Sequence, residues 1–222
     1  RSISCLGNLK QLTVTYKMYS SDYNDWILAA NLSPVVNTVD SLWTNYVLSQ
    51  IYPQIKVSSG AITNTTNLKL PVFDCPSENT KFRKNNTDSG YRYGHYAVNS
   101  LLVGEMRHKA ENPMNTENKF VPRKESSLKN ASDALLLLDS PRKTNYQQGS
   151  FNDLSGDCLA LRHGGKKGFV IENSDIKYYQ YGHSLNASFY DGRCTTLLRM
   201  QCYPQGINRM LAKMGYDNNY SK

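Results

Sequence analysis

At 222 residues, 39% hydrophobic and 20% charged, the chain can bury one core but would be stretched to build two. Its 16 Tyr, 6 Phe and 2 Trp each carry a large apolar area, which excludes a globally disordered chain despite a mean hydropathy of −0.57. The net charge of +8 is dispersed: its densest groups, Lys81, Arg83, Lys84 and the pair Lys166, Lys167, fall short of the run of about five that marks a nucleic-acid arm. The charge reads first as a solvated surface, with anionic polymers such as DNA or acidic glycans as the alternative partners.

No stretch reaches the ~20 apolar residues that span a bilayer, and no signal peptide is present. The chain starts at Arg1 without a methionine and is read as a piece whose natural N-terminus was processed or removed. The cysteines, Cys5, Cys75, Cys158, Cys194 and Cys202, form no CxxC pair, which argues against a zinc knuckle or a thioredoxin-like motif. Two readings stay open. One is an oxidising compartment with one or two disulfides and an odd thiol; the other is burial as free thiols.

In chain order, Cys5, Leu9, Leu12, Tyr16 and Tyr19 recur at 4-3-4-3 spacing, which predicts a helix over 4–20 with these residues on its packing face. Asn8, Lys10, Gln11 and Lys17 fall on the other side. A second helix is expected from Leu42 to Ile51, capped by Ser41 and stopped by Pro53. Residues 57–67 are rich in Ser, Thr and Asn and read as a loop, and Cys75-Pro76-Ser77 reads as a turn. A strand is expected over 91–98, and a surface loop over 109–125. The run Ala134–Leu138, ended by Asp139, Ser140 and Pro141, predicts a buried strand. Further strands are expected over 159–163, 168–171 and 185–190, with Gly164-Gly165 and Asp191-Gly192 as turns. A short helix closes the pattern over 207–214, ended by Gly215. A helix first and mostly antiparallel strands later define an α+β fold on one sheet, in a single domain over 1–222.

Several of these segments together carry a resemblance. Cys5-Leu6-Gly7-Asn8-Leu9-Lys10-Gln11-Leu12, followed by Tyr16, Tyr19, Asp22 and Tyr23, resembles the region after the membrane helix of bacterial type IV pilin-like proteins, the pseudopilins of type II secretion among them. Val72-Phe73-Asp74-Cys75-Pro76-Ser77 is similar to that family's F-x-C-P-S turn, and Tyr93-Gly94-x-Tyr96-x-Val98-Asn99 to the Y-G-x-N strand that follows it. Leu137-Leu138-Asp139-Ser140, Arg162-His163-Gly164-Gly165 and Asn186-Ala187-Ser188-Phe189-Tyr190-Asp191-Gly192 resemble its C-terminal signature. One departure stands out: residues 166–182 separate His163 from its strand, and His183 lies too near Asp191. His163 is taken as the matching histidine, and the insert as an extended hairpin or loop.

The resemblance implies a pilin-like fold, with 1–20 as the lower half of a long helix and 21–222 as a head with loop insertions. It implies a structural subunit, not an enzyme, whose partners are other pilin or pseudopilin subunits and the secretion apparatus. It further implies an inner-membrane anchor upstream of Arg1 and a periplasmic or extracellular head. Cys75, Pro76, Asp139, His163, Gly164, Gly165, Asp191 and Gly192 are then structural signature residues.

No cofactor is expected. Calcium, a ligand of related pseudopilins, would have to be held by the Asp217, Asn218, Asn219 tail. A hydrolase built on His163 and Asp191 is the enzymatic alternative, but no nucleophile elbow, H-E-x-x-H helix, Walker loop or dinucleotide fingerprint supports it. The sequons at Asn31, Asn64, Asn85, Asn130 and Asn186 are ascribed to an Asn-rich composition.

Overall fold

A computed structural model describes residues 2–32, 43–53, 57–58, 61–62, 71–77, 95–104, 122–140, 150–151, 160–164, 169–173, 176–180 and 182–198. Helix α1 spans Ser2–Asp22, two residues beyond the expected end at each side. Cys5, Leu9, Leu12 and Tyr16 are fully buried, and Tyr19 packs partly buried against the same core. The predicted polar side differs in detail. Asn8 is drawn inward, where its Nδ2 donates to Pro71 O at 2.7 Å, Asp74 O at 2.9 Å and Tyr96 Oη at 3.2 Å. Helix α2 covers Trp43–Ile51 and lays Trp43, Val47 and Leu48 into the core. Pro53 follows α2, as anticipated from its missing N–H, and the proposed Ser41 cap lies outside the described residues.

Strands β1 (Val57–Ser58) and β2 (Ala61–Ile62) form a small antiparallel pair where a loop was expected. Two β-branched residues, Val57 and Ile62, face each other across it, a local preference hidden in a polar window. Strand β3 is Tyr96–Asn99, the end of the predicted strand; Tyr91, Tyr93 and Gly94 lie outside the described residues. A one-turn helix, α3 (Ser100–Val103), follows unpredicted. Asn99 caps it, its Oδ1 accepting from Leu101 N at 3.1 Å and Leu102 N at 3.4 Å, while Gly104 at φ 74° ends it.

The remaining strands are β4 (Leu135–Asp139), β5 (Ser150–Phe151), β6 (Phe169–Asn173), β7 (Ile176–Gln180), β8 (Ser184–Phe189) and β9 (Cys194–Leu198). The main sheet runs β5-β3-β4-β8-β9, antiparallel throughout except for the parallel β3–β5 edge. The α+β architecture with a leading helix and a mainly antiparallel sheet is therefore present. The expectation of one sheet needs amending, because β1–β2 and β6–β7 pair separately. The expected strand over 159–163 is also not formed among its described residues: 160–164 join the sheet through the Ala160 N–H, which donates to Asp139 O at 3.2 Å, and an isolated bridge from His163 to Ser184.

The packing follows from periodicity. Every residue of β4 is buried, as its unbroken Leu run requires. On β8 the alternate residues Asn186 and Ser188, continued by Tyr190, meet α1. Ser2 Oγ donates to Asn186 Oδ1 at 3.2 Å, Thr13 Oγ1 to Ser188 Oγ at 2.8 Å, and Ser20 Oγ pairs with Tyr190 Oη at 2.6 Å. The helix–sheet seam is thus hydrogen-bonded along its length. Burial of Tyr190 and Tyr96 pushes both phenols far above their ordinary range, so they act as neutral groups.

The β8–β9 hairpin turns through Tyr190, Asp191 and Gly192, closed by Phe189 N to Arg193 O at 2.8 Å. Only Gly192 takes a positive φ, 90°, which makes this a three-residue turn with a glycine bulge instead of a two-residue turn with both residues left-handed.

Truncating Leu12 to alanine should cost about 2–5 kcal/mol, because its side chain is wholly buried between helix and sheet. Truncating the exposed Met18 should stay within about 0.5 kcal/mol. Urea denaturation of the two variants checks the contrast.

Candidate functional site

The signature residues fall into two places. At the start of β8, Asp139 from β4 and His163 from the extended segment converge with Asn186. His163 Nε2 lies 3.0 Å from Asp139 Oδ2, and the Asn186 main-chain N–H donates to the same oxygen at 2.6 Å. All three are at least 96% buried: Asp139 and Asn186 are 0% exposed and His163 4%. Position follows from register. Asp139 is the last residue of β4 and stands opposite Tyr96, one step beyond the last β4–β8 pair, Leu138 with Ala187. There its carboxylate takes the N–H of Asn186 in place of a strand carbonyl.

The amide of Asn186 is oriented by its neighbours. Thr196 Oγ1 donates to its Oδ1 at 2.7 Å and Ser2 Oγ at 3.2 Å, so Nδ2 faces Ser2 O at 3.3 Å and His163 Nε2 at 3.0 Å. A single proton on Nε2 serves either Asp139 or nothing else nearby, since Asn186 Nδ2 is itself a donor. The buried carboxylate has the stronger claim on it. Asp139 Oδ1 has no hydrogen-bond partner among the described residues.

Directly against this cluster sits the cross-link. Cys5 of α1 and Cys75 of the 71–77 turn form a disulfide with Cα atoms 5.1 Å apart, which selects the oxidised reading for that pair. Closing a loop with a sequence separation of 70 restricts the unfolded chain by roughly 4 kcal/mol. Cys75 Sγ is 3.9 Å from His163 Nε2. Cys194 is a free, half-buried thiol whose pKa desolvation raises; Cys158 and Cys202 lie outside the described residues.

A second histidine holds the turn in place. His95 Nδ1 accepts the Cys75 N–H at 2.9 Å, which fixes that nitrogen as unprotonated. Asp74 Oδ1, 3.7 Å from the same nitrogen, therefore faces an acceptor and not an ion-pair partner while His95 is neutral. Burial raises the Asp74 pKa accordingly. Arg162 donates to His95 O at 3.4 Å and to Ser140 O, tying the ends of β3 and β4 to the segment that carries His163.

The insert leaves this geometry intact because it closes at its own base. Gly182 N donates to Leu161 O at 2.6 Å, and His163 exchanges main-chain bonds with Ser184, both at 3.0 Å. Between these points β6 and β7 pair from Phe169–Gln180 to Asn173–Ile176, as the hairpin reading of the insert anticipates. A Cβ at Gly182 would come 2.1 Å from His163 O, so only glycine permits the closure.

The other signature residues are elsewhere. Pro76 is exposed on the turn, and Gly164, exposed at φ 75°, follows His163; Gly165 lies outside the described residues. Asp191 and Gly192 occupy the far end of β8, five extended residues or ~17 Å from Asn186. Asp191 is exposed and its Oδ1 accepts from Arg193 N at 2.8 Å, a turn role. His163 and Asp191, the pair on which the hydrolase alternative rests, are thus not brought together. Nor is a Cys–His–Asp relay formed, because Asp139 and Cys75 both approach Nε2 and such a relay needs the two ring nitrogens. The tail Asp217, Asn218, Asn219 lies outside the described residues. Among the sequons, Asn31 and Asn186 are buried.

Asn8, His95 and Gly182 were not singled out beforehand. Only Gly182, a glycine next to a histidine at the end of the insert, carried a local signal; the others act through partners about 65 and 20 residues away.

No family model matches the chain, and no curated protein or solved structure is similar to it.

Two outcomes test the site. Asp139→Ala should destabilise by about 3–5 kcal/mol, since it strips a buried histidine and a buried N–H of their acceptor, whereas Asp191→Ala should cost about 1 kcal/mol or less. Asp74→Asn should raise the melting temperature at neutral pH. The sign follows from its raised pKa: the folded state penalises the ionised form, so the cost exists above the folded pKa and vanishes as pH falls below the unfolded value of about 4. Thermal melts at an acid pH below about 4 and at neutral pH should show the larger gain at the higher pH.

Proposed function

We propose that the chain is the head of a pilin-like structural subunit that works by assembly and not by turnover. The observation that carries this reading is the outward side of α1. Ile3 is 84% exposed, Met18 51% and Val14 46%, and with Gly7 they fall within an arc of about 60° on the helix. That arc lies opposite the Cys5–Leu9–Leu12–Tyr16 face. A helix at the surface of an isolated domain ordinarily turns polar residues outward, so an apolar outer stripe favours a second protein surface. Among the described residues nothing lies within 4 Å of where a Gly7 side chain would begin, which favours close approach of a neighbouring backbone.

The residues that resemble pilin-like proteins support the same reading. The Cys75 turn is cross-linked to α1, Asn99 caps α3 and holds it to β4, and Asp139 joins β4 to β8 and to His163, as structural signatures would. In this proposal the partners are further copies or related subunits of a type II secretion or type IV pilus-like apparatus. An apolar segment anchors the protein in the inner membrane, and the head stands in the periplasm or outside the cell. No described helix is itself long and apolar enough to cross a membrane.

The alternative, a module for DNA or acidic glycans, gains no specific observation. Around α1 the cations are engaged internally: Lys10 Nζ donates to Gly192 O at 2.8 Å, Lys17 pairs with Glu125, and Lys124 lies over Trp26.

A photo-crosslinking residue placed at Val14 or Met18 of the full-length protein in its native cells should give a ladder of subunit adducts. The same residue at the exposed Asp191 should give none, and Val14→Lys should abolish the ladder while leaving the melting temperature nearly unchanged. Monomer alone at both helix positions would overturn the reading.

A further inference from the structure

Three potential ligands meet at the cross-link. One ligand atom each from Cys5, Cys75 and His163 lie within 4.8 Å of one another, and all three residues are buried. They come from three separate parts of the chain: α1, the 71–77 turn and the segment before the insert. A tetrahedral Zn²⁺ with Zn–S of about 2.3 Å and Zn–N of about 2.0 Å separates sulfur from nitrogen by roughly 3.5 Å and sulfur from sulfur by roughly 3.8 Å. Cys75 Sγ and His163 Nε2 already stand 3.9 Å apart. Once the sulfur–sulfur bond is cut, a side-chain rotation at Cys5 or Cys75 brings the sulfurs to the second spacing.

We propose that the Cys5–Cys75 disulfide masks a zinc site, and that reduction exposes it as two thiolates and the imidazole of His163. Disulfide and metal are then alternative cross-links joining the same elements. The chemistry balances with a dithiol as reductant. Its two sulfhydryls deliver two electrons and two protons to Cys5 Sγ and Cys75 Sγ, breaking their bond, and the dithiol closes to its cyclic disulfide. Zn²⁺ binding releases the two cysteine protons to solvent, while the imidazole proton shifts to the ring nitrogen that does not face the metal.

Charge favours Zn²⁺ over a monovalent ion: two thiolates and a neutral imidazole sum with Zn²⁺ to zero, which a fully buried site requires. Asp139 then faces the metal side of the ring, its Oδ2 3.0 Å from His163 Nε2. The proposal stands independently of the assembly role, since it concerns the interior of one chain.

The test uses the full chain with Cys158, Cys194 and Cys202 changed to alanine, so that no other thiol contributes. The protein is reduced with a dithiol, desalted without oxygen, and titrated with Co²⁺ as the spectroscopic probe. One equivalent should produce thiolate-to-cobalt charge-transfer and tetrahedral ligand-field bands, which Zn²⁺ then bleaches. The oxidised protein should show neither. His163→Gln keeps both thiols and should weaken binding by roughly 10-fold or more, since even loss of an outer-shell partner costs 10–100-fold. If reduction unfolds the chain, Zn²⁺ should restore its circular dichroism, because binding a preformed donor set is then folding energy. Absence of cobalt bands together with no recovery of structure would sink the proposal, as would bands of equal affinity in His163→Gln.

Discussion

Everything else in this molecule is arranged around the burial of one side of α1 against β4 and β8. The helix contributes four wholly buried side chains at Cys5, Leu9, Leu12 and Tyr16, and it borders a core that also contains Trp43, Phe73, Val98 and Leu136. An apolar stripe alone would fix neither rotation nor register, since a helix can slide along a greasy sheet at small cost. The hydrogen bonds from Ser2, Thr13 and Ser20 to Asn186, Ser188 and Tyr190 remove that freedom, because a slip of one residue would leave several buried polar groups without partners.

The same logic explains why the buried polar cluster sits where it does. Strand β4 ends where β8 continues, so the N–H of Asn186 lacks a carbonyl partner there and needs another acceptor. Asp139 supplies it through Oδ2, which also lies 3.0 Å from His163 Nε2. Cys75, held by His95 and joined to Cys5, closes the remaining side. The arrangement is a buried polar cluster at a structural junction, in which Asp139 Oδ1 lacks a partner among the described residues. The proposed metal chemistry draws on that tight convergence, and the proposed assembly surface lies on the other side of the helix.

Stability and exposure are therefore divided between the two faces of a single helix. The inward face holds the covalent cross-link and the hydrogen-bonded seam, while the outward face offers Ile3, Val14 and Met18. Because the inner face is pinned so thoroughly, substitutions on the outer stripe should leave the fold intact, which the proposed assembly role would require of a contact surface.

Local repetition made part of this legible in advance. The 4-3-4-3 spacing of α1, the unbroken Leu run of β4 and the Asp191-Gly192 turn each write their conformation into adjacent residues, because helical and pleated periods act over a few positions. The α+β order and the hairpin nature of the insert follow from the same short-range signals. The pairs β1–β2, the parallel β3–β5 edge and the one-turn α3 were missed, since each is stabilised by neighbours that composition does not reveal. Asp139, His163 and Cys75 could be picked out as residues, but their convergence could not: it depends on β4 and β8 pairing in one register, on the 166–182 segment closing at Gly182, and on Cys5 meeting Cys75 across 70 positions. Contacts between distant segments are set by how whole elements pack, and only the tertiary structure decides that.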